Sequence, residues 1–289
     1  MASKIISIIC DFDGTLGGDM ISFLLQKHGV DVPRFWDHIT EMVQDDRWDP
    51  AQAYMRELLN YAQSGKIELT RERLGKLGSL LPLYPGIPEL FPGLRKFIKT
   101  DSKLKAVPIE LEYYIVSGGL EQMIRGTKLA RHVNGIFGCE FQYDTAGRAS
   151  AVKRTISFTE KTKFVYAINK GIEPEDILKN PYLVNDAVKA DERRIPFEQM
   201  IYIGDGPSDI PCMSMIKQNL GEGIGVCERG QTFQKGYELA RGGRLSVGPY
   251  SADYRKTSDM RKALEAILVA RGAKIDIELR KHVVEAPKH

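Results

Sequence analysis

Several features are scarce in this chain, and each scarcity removes a class of function. Charge of one sign is barely in excess: 41 basic against 38 acidic residues leave a formal +3 over 289 residues. That supplies no long-range positive field to hold a nucleic acid backbone or an anionic bilayer, so neither is expected as a partner. Long apolar runs are missing as well. The N-terminal run, Ile5 to Cys10, stops at Asp11. It falls far short of the ~20 residues that cross a membrane and lacks a small-residue cleavage site, so a cytoplasmic location is expected. Cysteines are few and scattered. Cys10, Cys139, Cys212 and Cys227 include no CxxC pair, which indicates neither a disulfide framework nor a zinc site. Internal repeats and low-complexity tracts are absent too.

What is present is a repeated strand, turn and helix pattern. Ile5-Ile6-Ser7-Ile8-Ile9 is a β-branched run of the kind buried on both faces of a parallel sheet. Tyr113 to Val116, ending at Ser117-Gly118-Gly119, is a second such run, and Met200 to Ile203, ending at Gly204-Asp205-Gly206, is a third. Helical spacing follows, as in Met123 with Ile124 and Phe164, Val165 with Ile168. The order argues an α/β fold with a doubly wound parallel sheet. Ligands bind outside the carboxyl ends of such strands, where the three polar turns collect.

One interval is too long for a simple crossover. About a hundred residues separate Thr15 from Ser117, where neighbouring parallel strands need only a dozen or more. Residues 19–81 read as mostly helical, with Gly17-Gly18 on one side and Pro82, Pro85-Gly86 on the other. The expected organisation is a core of residues 1–16 and 86–289 interrupted by a small helical domain of residues 17–85. Later, Asp144-Thr145-Ala146-Gly147 between alternating runs predicts a β-hairpin over 140–158.

The chemistry-bearing residues cluster at the strand ends. Asp11 and Asp13 stand one residue apart after the first strand, an unfavourable pairing of like charges unless a cation lies between them or one is protonated. Asp205 and Asp209 add two carboxylates after the third strand. Four carboxylates without His or Cys form a hard oxygen site that favours Mg²⁺ over zinc, and Mg²⁺ is commonly completed by substrate phosphate. A phosphorylated ligand is implied.

In these motifs the chain resembles the haloacid dehalogenase (HAD) superfamily, specifically its phosphoserine-phosphatase-like branch with a helical cap. DxDx[TV] stands as Asp11 to Thr15, the strand-end hydroxyl as Ser117, and GDGxxD as Gly204 to Asp209. The lysine that opens a helix has two candidates, Lys161 and Lys163; Phe164, Val165 and Ile168 follow Lys161 at the spacing seen in the branch. The resemblance implies an Mg²⁺-dependent phosphatase acting on a small phosphorylated metabolite. Asp11 would be the nucleophile and Asp13 the general acid and base. Ser117 and the lysine would bind the transferring phosphoryl. Asp11, the Asp13 carbonyl, Asp205 and Asp209 would serve the metal. Backbone groups at Gly14, Thr15, Gly118 and Gly119 would cradle phosphate oxygens. The presence of Asp13 disfavours dehalogenation, whereas a phosphomutase or a phospho-ligand-binding protein with little turnover stays open.

Asp19 has two readings. Phosphoserine phosphatases carry an acidic residue that contacts the substrate amine, yet here Met20 occupies the aligned place and the acid falls one residue earlier. Asp19 is thus either a substrate contact or the polar residue opening the first helix. Phe35, Trp36, Trp48 and Tyr54 likewise either form the core of the helical segment or wall a pocket.

Overall fold

The computed structural model describes residues 4–228, 239–241 and 243–284. The remaining residues assigned above to the core, 1–3, 229–238, 242 and 285–289, lie outside the described residues. A seven-stranded sheet has the order β4-β3-β2-β1-β5-β6-β7. Its strands are β1 (Lys4–Cys10), β2 (Ile109–Leu120), β3 (Gly135–Tyr143), β4 (Ala149–Arg154), β5 (Met200–Gly204), β6 (Glu222–Cys227) and β7 (Val247–Ser251). All neighbours are parallel except β3 and β4.

The central strand explains itself. Ile6, Ile8 and Ile9 of β1 are fully buried, as a strand covered on both faces requires. Cys10 at its end pairs with Ile115 of β2 and Ile203 of β5. The Asp11 N–H then donates to the Ile203 carbonyl at 2.9 Å. Residues that follow β1 and β5 therefore emerge side by side, which sets Asp11 next to Asp205.

Four helices lie between β1 and β2 within the helical stretch: α1 (Met20–Lys27), α2 (Val32–Gln44), α3 (Pro50–Gln63) and α4 (Arg71–Leu80). Asp19, Asp31, Asp49 and Thr70 cap their N-termini with side-chain oxygens, and Pro50 sits at the first position of α3. The two ends of this stretch are tied together by a bridge between Gly17 and Leu83 and by the Tyr84 N–H donating to Leu16 at 2.9 Å. Next come α5 (Leu90–Thr100) and a short α6 (Glu121–Gly126). Glycines let α4 lie directly on α6: a Cβ on Gly78 would stand 2.0 Å from the Met123 carbonyl oxygen, and one on Gly126 would stand 2.1 Å from that of Gly75. Further helices among the described residues include α7 (Phe158–Lys170), α8 (Pro174–Lys179), α9 (Ile210–Gln218) and α10 (Asp259–Val284). A left-handed Gly171 ends α7.

The expected hairpin is β3 with β4, its turn closed by the Asp144 N–H on Arg148 and the Gly147 N–H on Asp144, both at 2.9 Å. One expectation is corrected. Ser117-Gly118-Gly119 is no terminal turn: β2 runs on through Leu120, with its register against β3 shifting between Val116 and Leu120. The pairing of Leu120 with Cys139 resumes the ladder beyond this irregularity. Among the described residues no helix is long and apolar enough to cross a membrane.

Candidate active site

The residues after β1 wind into one tight turn. The Phe12 carbonyl accepts from the N–H groups of Thr15, Leu16 and Gly17, and the Gly14 N–H donates to the Gly17 carbonyl. Gly14 is required here: its φ is +72°, and a Cβ would stand 2.1 Å from Asp205 Oδ2. The turn buries Thr15 completely and aims its hydroxyl at Asp205 Oδ1, 3.3 Å away. The amides of Gly14 and Thr15 are thus spent inside the turn.

Lys161, 1% exposed on α7, reaches across to the sheet end. Its Nζ lies 2.9 Å from Asp11 Oδ2 and 2.7 Å from Asp209 Oδ1. Lys163 points elsewhere and pairs with Glu160 at the surface, at 2.7 Å. Asp209 is wholly buried and saturated with donors: Lys161 and the Tyr202 hydroxyl on Oδ1, the N–H groups of Asp205 and Gly206 on Oδ2. It acts as the post around which the GDGxxD turn is wound. Tyr202, inside β5, carries no motif signal. Only its place one strand-length before Asp209 could have revealed it.

Ligand oxygens of Asp11, Asp205 and Asp209 lie within 4.8 Å of one another. Burial, with repulsion from Asp11 and Asp209, pushes the Asp205 carboxyl up to about 8. Burial and Asp209 likewise raise Asp11 to about 6, with Lys161 and the Phe12 N–H pulling the other way. Burial opposes the Lys161 ammonium, but Asp11 and Asp209 outweigh it and hold it charged. Three carboxylates facing one ammonium leave two negative charges unbalanced, the deficit a divalent cation fills. All the donors are oxygen, the set suited to Mg²⁺.

Asp13 faces the start of α1 and the glycines of β2. Its Oδ1 accepts the Met20 N–H at 3.0 Å. Its Oδ2 faces Gly119, where a Cβ would stand only 2.6 Å away. Burial, then Asp19, then Asp11 push its carboxyl well above the usual range. Ser117 is fully buried and accepts the Gly119 N–H at 3.0 Å. Asp19 caps α1, accepting from the Ile21 and Ser22 N–H groups and the Ser22 hydroxyl. Of the aromatic residues, Phe35 and Trp36 pack edge to face inside the helical segment and Trp48 is 39% exposed. Tyr54 reaches the sheet, where it donates to the Gly118 carbonyl.

Comparison with known proteins agrees with this geometry. The chain is 30% identical over 239 residues to an uncharacterized protein of Borreliella burgdorferi, a match spanning 75% of this chain and 80% of that one. The two belong to one family. Among solved structures, a phospho-aspartyl intermediate analogue of phosphoserine phosphatase superposes with a TM-score of 0.52 at 17% identity, covering 91% of this chain and 99% of that one. A substrate-bound phosphoserine phosphatase gives 0.51 at 16%, covering 91% and 98%. A HAD family hydrolase of Salmonella enterica serovar Typhi gives 0.51 at 15%, covering 78% of this chain and 63% of that one. The chain shares the fold of these HAD structures. No family model matches it. At these identities the likeness establishes the architecture alone.

Proposed function

We propose that the chain is an Mg²⁺-dependent phosphomonoester hydrolase that forms an aspartyl-phosphate on Asp11 and acts on a small phosphorylated metabolite in the cytoplasm. The observation that carries the reading is Lys161 lodged between Asp11 and Asp209, with Asp205 beside them. A buried ammonium among carboxylates at the carboxyl ends of two parallel strands is an arrangement made for anion transfer.

Asp11 Oδ, the Asp13 backbone carbonyl and Asp205 would hold the ion, with Asp209 keeping Asp205 and Lys161 in place. Bound there, Mg²⁺ would offset charge on the phosphoryl oxygens. The Asp11 carboxylate attacks phosphorus, and the bond from phosphorus to the ester oxygen breaks. Asp13, whose carboxyl burial and its acidic neighbours push toward the protonated form, gives its proton to the leaving oxygen. As a carboxylate it then takes a proton from a water molecule, whose oxygen attacks phosphorus and frees Asp11 with inorganic phosphate. Lys161 and Ser117 orient the transferring group throughout. A chain that only bound a phospho-ligand would have no use for the acid at Asp13.

Residues 17–85 would serve as a helical cap on a core of residues 1–16 and 86–289, closing the site to bulk water. The place near the first motif where an amine contact would stand holds the Met20 thioether, whose sulfur accepts the Leu120 N–H at 3.0 Å. Asp19 spends its carboxylate on α1. Both support a leaving group other than serine.

Release of p-nitrophenol from p-nitrophenyl phosphate tests the reading. Activity is expected with Mg²⁺, none with chelator, and none in Asp11→Asn at any Mg²⁺ concentration. Metal-independent release, or full activity in the variant, contradicts it. A panel of phosphorylated metabolites then identifies the substrate.

A further inference from the structure

The helical segment meets β2 at two polar contacts, the Met20 sulfur on the Leu120 N–H and the Tyr54 hydroxyl on the Gly118 carbonyl. Tyr54 of α3 is 8% exposed, and its hydroxyl donates to the Gly118 carbonyl. The Cys139 thiol of β3 donates to the same oxygen at 3.1 Å and itself accepts the Ile156 N–H at 3.2 Å. A carbonyl oxygen has two lone pairs, and both are taken. Burial keeps the Tyr54 hydroxyl and the Cys139 thiol protonated, so each remains a donor.

The consequence follows from the peptide bond. The Gly118 carbonyl and the Gly119 N–H belong to one planar trans unit and point in opposite directions. Fixing the oxygen therefore fixes the N–H, which donates to Ser117 Oγ at 3.0 Å. Two adjacent glycines have no side chains to restrain that unit. Its orientation must be imposed from outside, and the two donors impose it. Beyond Gly119 stand Asp13 Oδ2 and the Met20 sulfur, at 2.6 and 2.7 Å from where a Cβ would be, so a turn of this peptide would disturb the acid as well. Ring packing alone does not require the hydroxyl. Trp36 stands 6.4 Å from the Tyr54 ring, and phenylalanine would preserve that contact.

We infer that Tyr54 is a positioning residue: its hydroxyl orients the Gly118–Gly119 peptide, so that the cradle formed with Ser117 is complete only while the helical segment is docked on the sheet. The inference rests on the reading of this site as a phosphoryl site. It makes the helical segment a contributor to catalysis rather than a cover alone.

Tyr54→Phe tests it. Turnover of p-nitrophenyl phosphate with Mg²⁺ and calorimetric binding of inorganic phosphate are measured on the full chain, beside thermal melting. The loss of one hydrogen bond predicts kcat/KM and phosphate affinity each about tenfold lower with the melting temperature nearly unchanged. Tyr61→Phe, on the same helix but packed against Phe35, leaves all three unchanged. Should Tyr54→Phe fail to fold, Cys139→Ala removes the second donor, and the same two losses are expected. Wild-type kcat/KM and phosphate affinity in the variant overturn the inference and leave the phosphatase reading intact. A wild type that binds phosphate without hydrolysing esters overturns that reading, while the phosphate affinities still decide the role of Tyr54. A wild type that does neither overturns both.

Discussion

The sheet end and the helical segment that meet at the site are built from opposite materials. At the sheet end, charged groups are buried in contact with one another: Asp11, Lys161 and Asp209, each at most 6% exposed, linked by bonds of 2.7 to 2.9 Å. In the helical segment the buried groups are apolar, among them Leu24, Leu25, Phe35, Met55 and Leu58, and that segment reaches the sheet strand through Tyr54 and Met20. The contrast separates two jobs. A charge network tolerates no deletion, because each member leaves another uncompensated. An apolar bundle can be altered at its surface and still present the one hydroxyl and one thioether that matter.

The largest expected effect comes from breaking the network. Lys161→Met leaves Asp11 and Asp209 buried without their cation, which costs about 3–5 kcal/mol. A urea titration in chelator should show this as a lower midpoint, partly restored by Mg²⁺, with turnover gone. Lys163→Met, two residues away and paired with Glu160 at the surface, is expected to stay within about 0.5 kcal/mol and to keep wild-type turnover.

Glycines sharpen the same comparison. Gly14→Ala forces a side chain against the Asp205 carboxylate at a φ of +72°, and Mg²⁺ affinity should fall about 10- to 100-fold by calorimetry. Gly18→Ala, where a Cβ meets nothing within 4 Å, leaves that affinity unchanged.

The pH response isolates the sheet end. Asp11 and Asp205 have carboxyls raised from 3.8 to about 6 and about 8 by burial and mutual repulsion. Over that window the folded chain binds more protons than the unfolded one, so stability falls as pH rises. In chelator the melting temperature should be lower at pH 8 than at pH 5. Saturating Mg²⁺, which holds both groups ionised, should raise it more at pH 8 than at pH 5. A metal-free melting temperature that climbs over this range contradicts the proposed repulsion.

The smallest effect belongs to the helical side. Asp19→Ala removes the cap of α1 at an expected cost of about 1 kcal/mol in stability, read by denaturant titration, with turnover retained. Asp13→Asn, six residues earlier, should abolish turnover and leave the fold intact.

The part of this arrangement legible in the sequence was contiguous. Asp11 to Thr15 and Gly204 to Asp209 each follow an apolar strand run, and a parallel sheet places them at its carboxyl end. Helical spacing set Lys161 on the face of Phe164, Val165 and Ile168, all of which the fold buries. What escaped was set by long-range pairing. The bulge at Ser117–Gly119 depends on β3, whose first residues lie upstream of the span in which the hairpin was expected. Tyr54 and Cys139 converge on Gly118 from positions 64 and 21 residues away, and no local pattern announces such a meeting. Tyr202 reads as one more apolar strand residue until its hydroxyl is seen on Asp209.

The covalent step is the most direct test of the proposed chemistry. The wild-type chain turning over p-nitrophenyl phosphate with Mg²⁺ would be quenched in acid within milliseconds, and its peptides weighed by mass spectrometry. One phosphoryl group on the peptide bearing Asp11, absent from Asp11→Asn, is the expected result. Steady turnover with no phosphoryl on Asp11, or with the group on another residue, would contradict it.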